Sequence, residues 1–178
     1  IPIAYNNLIK GRPLSETGIN RKYWLRSLIF GLVLSVPISI GPTPSAPATT
    51  LIASVKALSL TELLPLLVFE ITATLFLTIF FCGWMQMRFE RAFGAIPAIL
   101  ITAVLFALHH VAYGEPISIF YMLHLMGGLI YAAVFRITRN IFILWPFFAS
   151  ATSLNFDLGW GLRLPFETIY GYIGVLVL

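Results

Sequence analysis

The chain has 178 residues, of which 59% are hydrophobic and 10% charged, and its mean hydropathy is +0.93. A soluble domain carries about 25% charged residues, so lipid is the main solvent of this chain, and transcription factors, soluble dehydrogenases and secreted disulfide scaffolds are excluded. Its 11 Lys and Arg against 7 Asp and Glu give a net charge of +4. In a membrane chain that excess belongs in cytoplasmic loops; no interleaving of aromatic and basic residues suggests a nucleic-acid partner. The single Cys82 excludes an internal disulfide and a Cys-based zinc site. The chain opens with Ile1 instead of Met, so its N-terminus is expected to be incomplete or processed, and no signal-peptide pattern is present.

Residues 1–22 read as a basic tail on the membrane surface, with Lys10, Arg12, Arg21 and Lys22. A first span is expected over Trp24 to Ile40, anchored by Tyr23 and Trp24 as interfacial aromatics. Gly41 to Pro47 holds three prolines, which remove donors and disfavour helix, so an extended loop follows. A short amphipathic piece around Lys56 leads to a helix start at Thr61 and Glu62, and the longest span runs from Leu63 to Met87. Arg88 to Gly94 forms a charged hinge before Pro97 at the head of a third span, Ile96 to Tyr113. Gly114, Glu115 and Pro116 turn the chain into a fourth span, Ile117 to Phe135, and a polar turn at Arg136, Arg139 and Asn140 precedes a fifth over Ile141 to about Phe156. After a turn at Asp157 to Gly161, Leu164 to Leu178 is either a short sixth span or an interfacial helix.

Alternate threading puts nine Lys and Arg on one side and leaves Lys56 and Arg163 opposite, so the N-terminal tail, the 88–94 hinge and the 136–140 turn are expected to be cytoplasmic. The expected fold is all-α: a polytopic membrane helix bundle of five to six transmembrane helices, with residues 23–178 as one domain after the tail. The expected location is a prokaryotic cytoplasmic (inner) membrane or its organelle equivalent.

Ionisable groups inside spans are costly and mark sites or buried partners. Here they are Glu70, His109, His110 and His124, with Cys82 as a soft addition. Glu70 fits a proton carrier, metal ligand or base, and equally a hydrogen-bonded acid that locks helix packing. His109 and His110 point about 100° apart on a helix, and antiparallel packing of spans three and four would bring His124 near them. Gly127 and Gly128, with Ala132 and Ala133, form a small-residue stripe that lets another helix approach closely. No phosphate loop, HExxH or GxSxG motif is present.

The run Phe81-Cys82-Gly83-Trp84-Met85-Gln86, the hinge Arg88 to Gly94, and Leu105 to His110 resemble the CAAX-processing and bacteriocin-processing (CPBP, Abi) membrane peptidases over roughly residues 14–157. That family's first motif reads Glu-Glu-x-x-Phe-Arg-Gly, its second Phe-x-x-x-His, and a late helix gives His-x-x-x-Asn. Anchoring the first motif on Phe81 and Gly83 puts Cys82 at the Arg position and Leu77-Thr78 at the two Glu positions. The second motif stands as Phe106 and His110, and Asn155 leaves Ala151 where the late His belongs. The resemblance implies water activated by a glutamate base, with histidines assisting or holding a metal. Neither Leu77 nor Thr78 can serve as that base, and Glu70 lies about 12 Å before Thr78 along the helix, rotated by about 80°.

The leading expectation is therefore a degenerate family member that has lost peptidase chemistry and is an accessory or structural subunit of a larger membrane complex. Its partners would be the bilayer, other membrane subunits, and lipid or pigment at its flanks, with no cofactor. The alternative is an active intramembrane endopeptidase with a rearranged site in which Glu70, His110 and His124 are base and ligands, zinc entering only in that case. A small transporter or proton-relay protein built round the same residues is a third reading.

Overall fold

The computed structural model describes residues 5–43, 46–112 and 119–159. The expected Gly114-Glu115-Pro116 turn, Arg163 and the sixth apolar segment at 164–178 lie outside them. Helix α1, Trp24–Ile40, has the bounds expected of the first span. The proline-rich segment pairs as a small antiparallel hairpin, β1 (Pro42–Thr43) with β2 (Ala46–Thr50), Pro42 opposite Thr50. Helix α2, Leu51–Lys56, follows, capped by the Thr50 hydroxyl, which accepts from Ala53 N.

A capping box opens the next helix: the Glu62 carboxylate accepts from both the backbone N–H and the hydroxyl of Ser59. From there α3 runs unbroken over Leu60–Phe93, 34 residues and about 51 Å. Its middle, Thr78–Gln86, is wound as π-helix. The charged stretch 88–94 is thus not a hinge but the last two turns of α3. The break comes at Gly94, whose φ of +86° only glycine adopts readily. Helices α4, Ala95–Ala112, and α5, Ile119–Thr138, form the most extensive helix pair. The expected fifth span is not one helix either. A 3-10 turn at Ile141–Ile143 comes first, and α6, Phe148–Gly159, starts only beyond Pro146, which has no N–H to continue a helical ladder. Asp157 belongs to the last turn of α6 and not to a loop.

The bundle has an apolar core around Phe81, Phe106, Phe135, Leu144 and Phe148, but it also buries polar side chains and turns many apolar ones outward. Helix α1 buries Ser27, Gly31 and Ser35 and exposes Leu25, Ile29, Phe30, Val33 and Val36. Glu70, Thr74, Gln86, Thr102 and Asn140 are buried, while Leu64, Val68, Leu100, Val104, Met126 and Ile130 face outward. Apolar side chains outside and polar ones inside are what a hydrocarbon solvent requires. Of the described helices α3 alone has the length and composition to cross a membrane by itself; Trp24–Ile40, Ala95–His110 and Met122–Thr138 are shorter apolar stretches.

Gly128 explains the close fit of α4 on α5. A Cβ there would lie 3.0 Å from both Cα and O of Ala103, whereas a Cβ on Gly127 meets nothing within 4 Å. Gly128→Leu is expected to wedge the pair apart and cost about 1–3 kcal/mol. Gly127→Leu, on the open side, should melt like the wild type, and thermal unfolding in detergent compares the two.

One end of the bundle gathers the basic residues. Glu90, 7% exposed at its side chain, pairs with Arg139 at 2.8 Å and Arg136 at 3.2 Å, and Gln86 Nε2 donates to it at 3.3 Å. Because both guanidinium groups are half-exposed, Glu90→Gln is expected to cost only about 1–2 kcal/mol, read as a lower melting temperature. The N-terminal segment is more than a surface tail, since Thr17 and Gly18 are buried against Gly83 and Ile141. Gly18 O accepts from Ile141 N at 2.9 Å, and Asn140 Nδ2 donates to Asn20 O at 2.8 Å. Glu16 holds this segment to α3 through Arg91 at 3.5 Å and pairs with Arg12 at 3.2 Å. Desolvation disfavours its charged form, but the guanidinium groups of Arg12 and Arg91 outweigh that and hold the carboxyl below its ordinary value. A carboxyl so depressed supports the fold at neutral pH and ceases to as pH falls through its range. Backbone amides of residues 10–22 should accordingly be less protected from hydrogen exchange below about pH 4 than at pH 7, once the intrinsic pH dependence of exchange is corrected for.

Candidate functional site

Two polar stripes face each other across α3 and α6. On α3, Glu70, Thr74 and Thr78 recur every four residues and are all buried. On α6, Ser150, Ser153 and Asp157 are spaced three and four apart, which puts them on one face. The stripes meet where Thr74 Oγ1 and Ser150 Oγ lie 2.7 Å apart. Thr74 also donates to Glu70 O within its own helix, so Ser150 is the donor in that contact.

Glu70 is 1% exposed, and Asp157 and Ser153 lie alongside its carboxyl. Neither oxygen makes a hydrogen bond of good geometry among the described residues, although Asp157 and Ser153 are close enough to form one. Asp157 is also within Coulombic reach of His124. The His124 ring stacks on His110 with centroids 3.7 Å apart and planes 13° from parallel. His110 Nδ1 donates to Phe106 O at 2.9 Å, which fixes that tautomer and leaves Nε2 facing away from its own helix. His109 meets His110 edge-on at 5.6 Å and Phe81 at 5.4 Å. Buried Tyr131 completes the group, within Coulombic reach of both Glu70 and Asp157.

The structure therefore brings Glu70, His110 and His124 into one polar constellation and adds Asp157 as the link between acid and histidines. Glu70 is buried, while Asp157, His110 and His124 are partly exposed; a carboxyl pair beside imidazoles is suited to taking a proton from water and stabilising charge on an attacked carbonyl.

The model of the type II CAAX prenyl endopeptidase Rce1-like family matches residues 59–153, just over half of the chain. The chain belongs to this family. No curated protein and no solved structure matches it. The Rce1-like match contains Glu70, His110 and His124, and Asp157 lies four residues beyond its end.

Within this Rce1-like chain, the positions anchored on Phe81 and Gly83 supply no acid. Thr78 Oγ1 donates to Leu75 O, Leu77 packs on the apolar core, and Cys82 is buried in it. Ala151 packs with Leu51, Leu66 and Leu154, away from the histidines. Asn155 stands about 160° round α6 from Asp157, its Oδ1 buried without a partner among the described residues. A bound zinc does not fit this arrangement among the described residues. Among the described residues no three His, Cys, Asp or Glu side chains converge as metal ligands, and the face-to-face stack of His110 and His124 turns their nitrogens parallel.

Sequence reasoning missed Asp157 and the Ser27-Gly31-Ser35 stripe. The Ser150, Ser153, Asp157 spacing in an otherwise apolar stretch was the available signal for the first. Small residues every four positions were the signal for the second, and they seat α1 on the 141–143 turn: a Cβ at Gly31 would lie 2.6 Å from Ile143 O.

Proposed function

We propose that the chain is a membrane-embedded endopeptidase acting on prenylated CAAX-type peptides, with Glu70 and Asp157 as its water-activating pair. The observation that supports this reading is the juxtaposition of the buried Glu70 carboxyl and the partly exposed Asp157 carboxyl beside the stacked His110 and His124. Two adjacent carboxyl groups can hold one proton between them, leaving the other ionised. In the proposed step the ionised member takes a proton from water as the water oxygen bonds to the scissile carbonyl carbon. The histidines face the resulting oxyanion. Collapse of the tetrahedral adduct breaks the C–N bond, and the proton held by the pair passes to the leaving amine.

Helices α1, α3, α4 and α5 are read as spans with α6 as a shorter fifth, and the basic end carrying Glu90 and the N-terminal segment as cytoplasmic. The test is cleavage of a prenylated CAAX peptide by the purified full-length protein in lipid vesicles. Turnover that falls in Glu70→Gln and His110→Ala supports the peptidase.

A second reading is favoured by the absent motif residues at Leu77-Thr78 and Ala151. On this reading the chain is a non-catalytic subunit whose open Gly127 face receives another membrane protein. It predicts an inert wild type that copurifies from its native membrane with partners at a constant ratio.

A further inference from the structure

Beyond the peptidase reading, we infer that the chain carries a built site for one anionic phospholipid of the surrounding bilayer, at the entry to α1. A groove of about 400 Å³ opens there, lined by Leu14, Ile19, Asn20, Arg21, Trp24 and Phe142. Its walls are mostly apolar, with the Trp24 and Phe142 rings edge-to-face at 6.2 Å.

The charge at its mouth is unopposed. Tyr23 adopts φ +60°, a sharp turn that places its ring between Lys22 Nζ at 5.0 Å and Arg26 Cζ at 5.3 Å. Arg21 lines the groove itself. Among the described residues none of Arg21, Lys22 and Arg26 is ion-paired, and nearby Glu16 is occupied by Arg12 and Arg91. These three cations therefore differ from Arg136 and Arg139, which share the Glu90 carboxylate.

Beyond the groove α1 is apolar on its outward side as well, with Leu25, Ile29 and Phe30 exposed. An acyl chain would lie against the apolar wall formed by Leu14, Ile19, Trp24 and Phe142, with its phosphate at Arg21. A free phosphate shares the headgroup chemistry but leaves the apolar walls empty, so a lipid matches both halves of the site and phosphate only one.

Native mass spectrometry of the full-length protein in mild detergent, titrated with phosphatidylglycerol or phosphatidylcholine, tests this without reference to cleavage. The wild type is expected to retain phosphatidylglycerol in preference. Arg21→Gln should weaken that retention about fivefold, the effect of one cation at a membrane surface, and R21Q/K22Q/R26Q should abolish the preference. Leu14→Trp, which fills the groove, should weaken both lipids. All four positions are exposed, and an unchanged melting temperature verifies that the variants fold. Equal retention of the two lipids by the wild type, an undiminished preference in the triple variant, or displacement of the lipid by millimolar inorganic phosphate would each overturn the proposal.

Discussion

Glu70→Gln is expected to lower kcat/KM for a prenylated CAAX peptide by a factor of about 10² to 10⁴, the range for losing a positioned general base. The melting temperature should hold or rise. Both Glu70 oxygens are buried without a well-formed hydrogen bond, and a Gln amide brings two donors toward Asp157 where the native pair has a single shared proton. Asp157→Asn should lower turnover by a comparable factor because it removes the other half of the pair. His110→Ala should also lower turnover, and it additionally loses the stack on His124 and the bond to Phe106 O. If Glu70→Gln and Asp157→Asn both cleave at the wild-type rate, the pair is a packing contact and the peptidase reading fails. Equal damage to turnover and to melting would point the same way.

How far the sequence could have led to this site depends on winding and packing. The apolar run located α1 to the residue, and the antiparallel return of α5 on α4 brought His124 to His110 as expected. Helical periodicity fails across Thr78–Gln86, where π-winding changes the number of residues per turn. The motif anchored on Phe81 reaches Leu77-Thr78 by sequence offset alone, and whether Glu70 meets the histidines depends on the packing of α3 against α6, which no offset shows. Asp157 was hidden for another reason. Beside Gly159 and Gly161 it reads as a turn residue, and only the packing of α6 against α3 turns it inward. The inward seating of Thr17 and Gly18 was equally illegible, because local polarity marks 1–22 as surface and the hollow they fill exists only once α3 carries Gly83 opposite them.

Gly83→Ala is the strongest test of that seating. Gly83 lies in the π-wound part of α3, and a Cβ there would come within 2.0 Å of Thr17 O and 2.8 Å of Thr17 C. Both are backbone atoms, so no rotamer change relieves the clash and either α3 or residues 17–20 must move. Gly18 cannot yield easily: its φ is +76°, and its own Cβ position already meets Ile141 Cγ2 at 2.9 Å and Gly83 Cα at 3.1 Å. Displacing the segment breaks the Ile141 N to Gly18 O and Asn140 Nδ2 to Asn20 O hydrogen bonds, each worth about 1 kcal/mol net. With the overpacking, the expected loss is about 3 kcal/mol. Trypsin should then cut at Arg21 and Lys22 much faster than in the wild type, whereas Gly127→Ala, with open space at its Cβ, should melt and digest like the wild type. Unchanged melting and unchanged protection in Gly83→Ala would mean that the N-terminal segment is not seated on α3, and the groove it builds with Trp24 and Phe142 would then lose one wall.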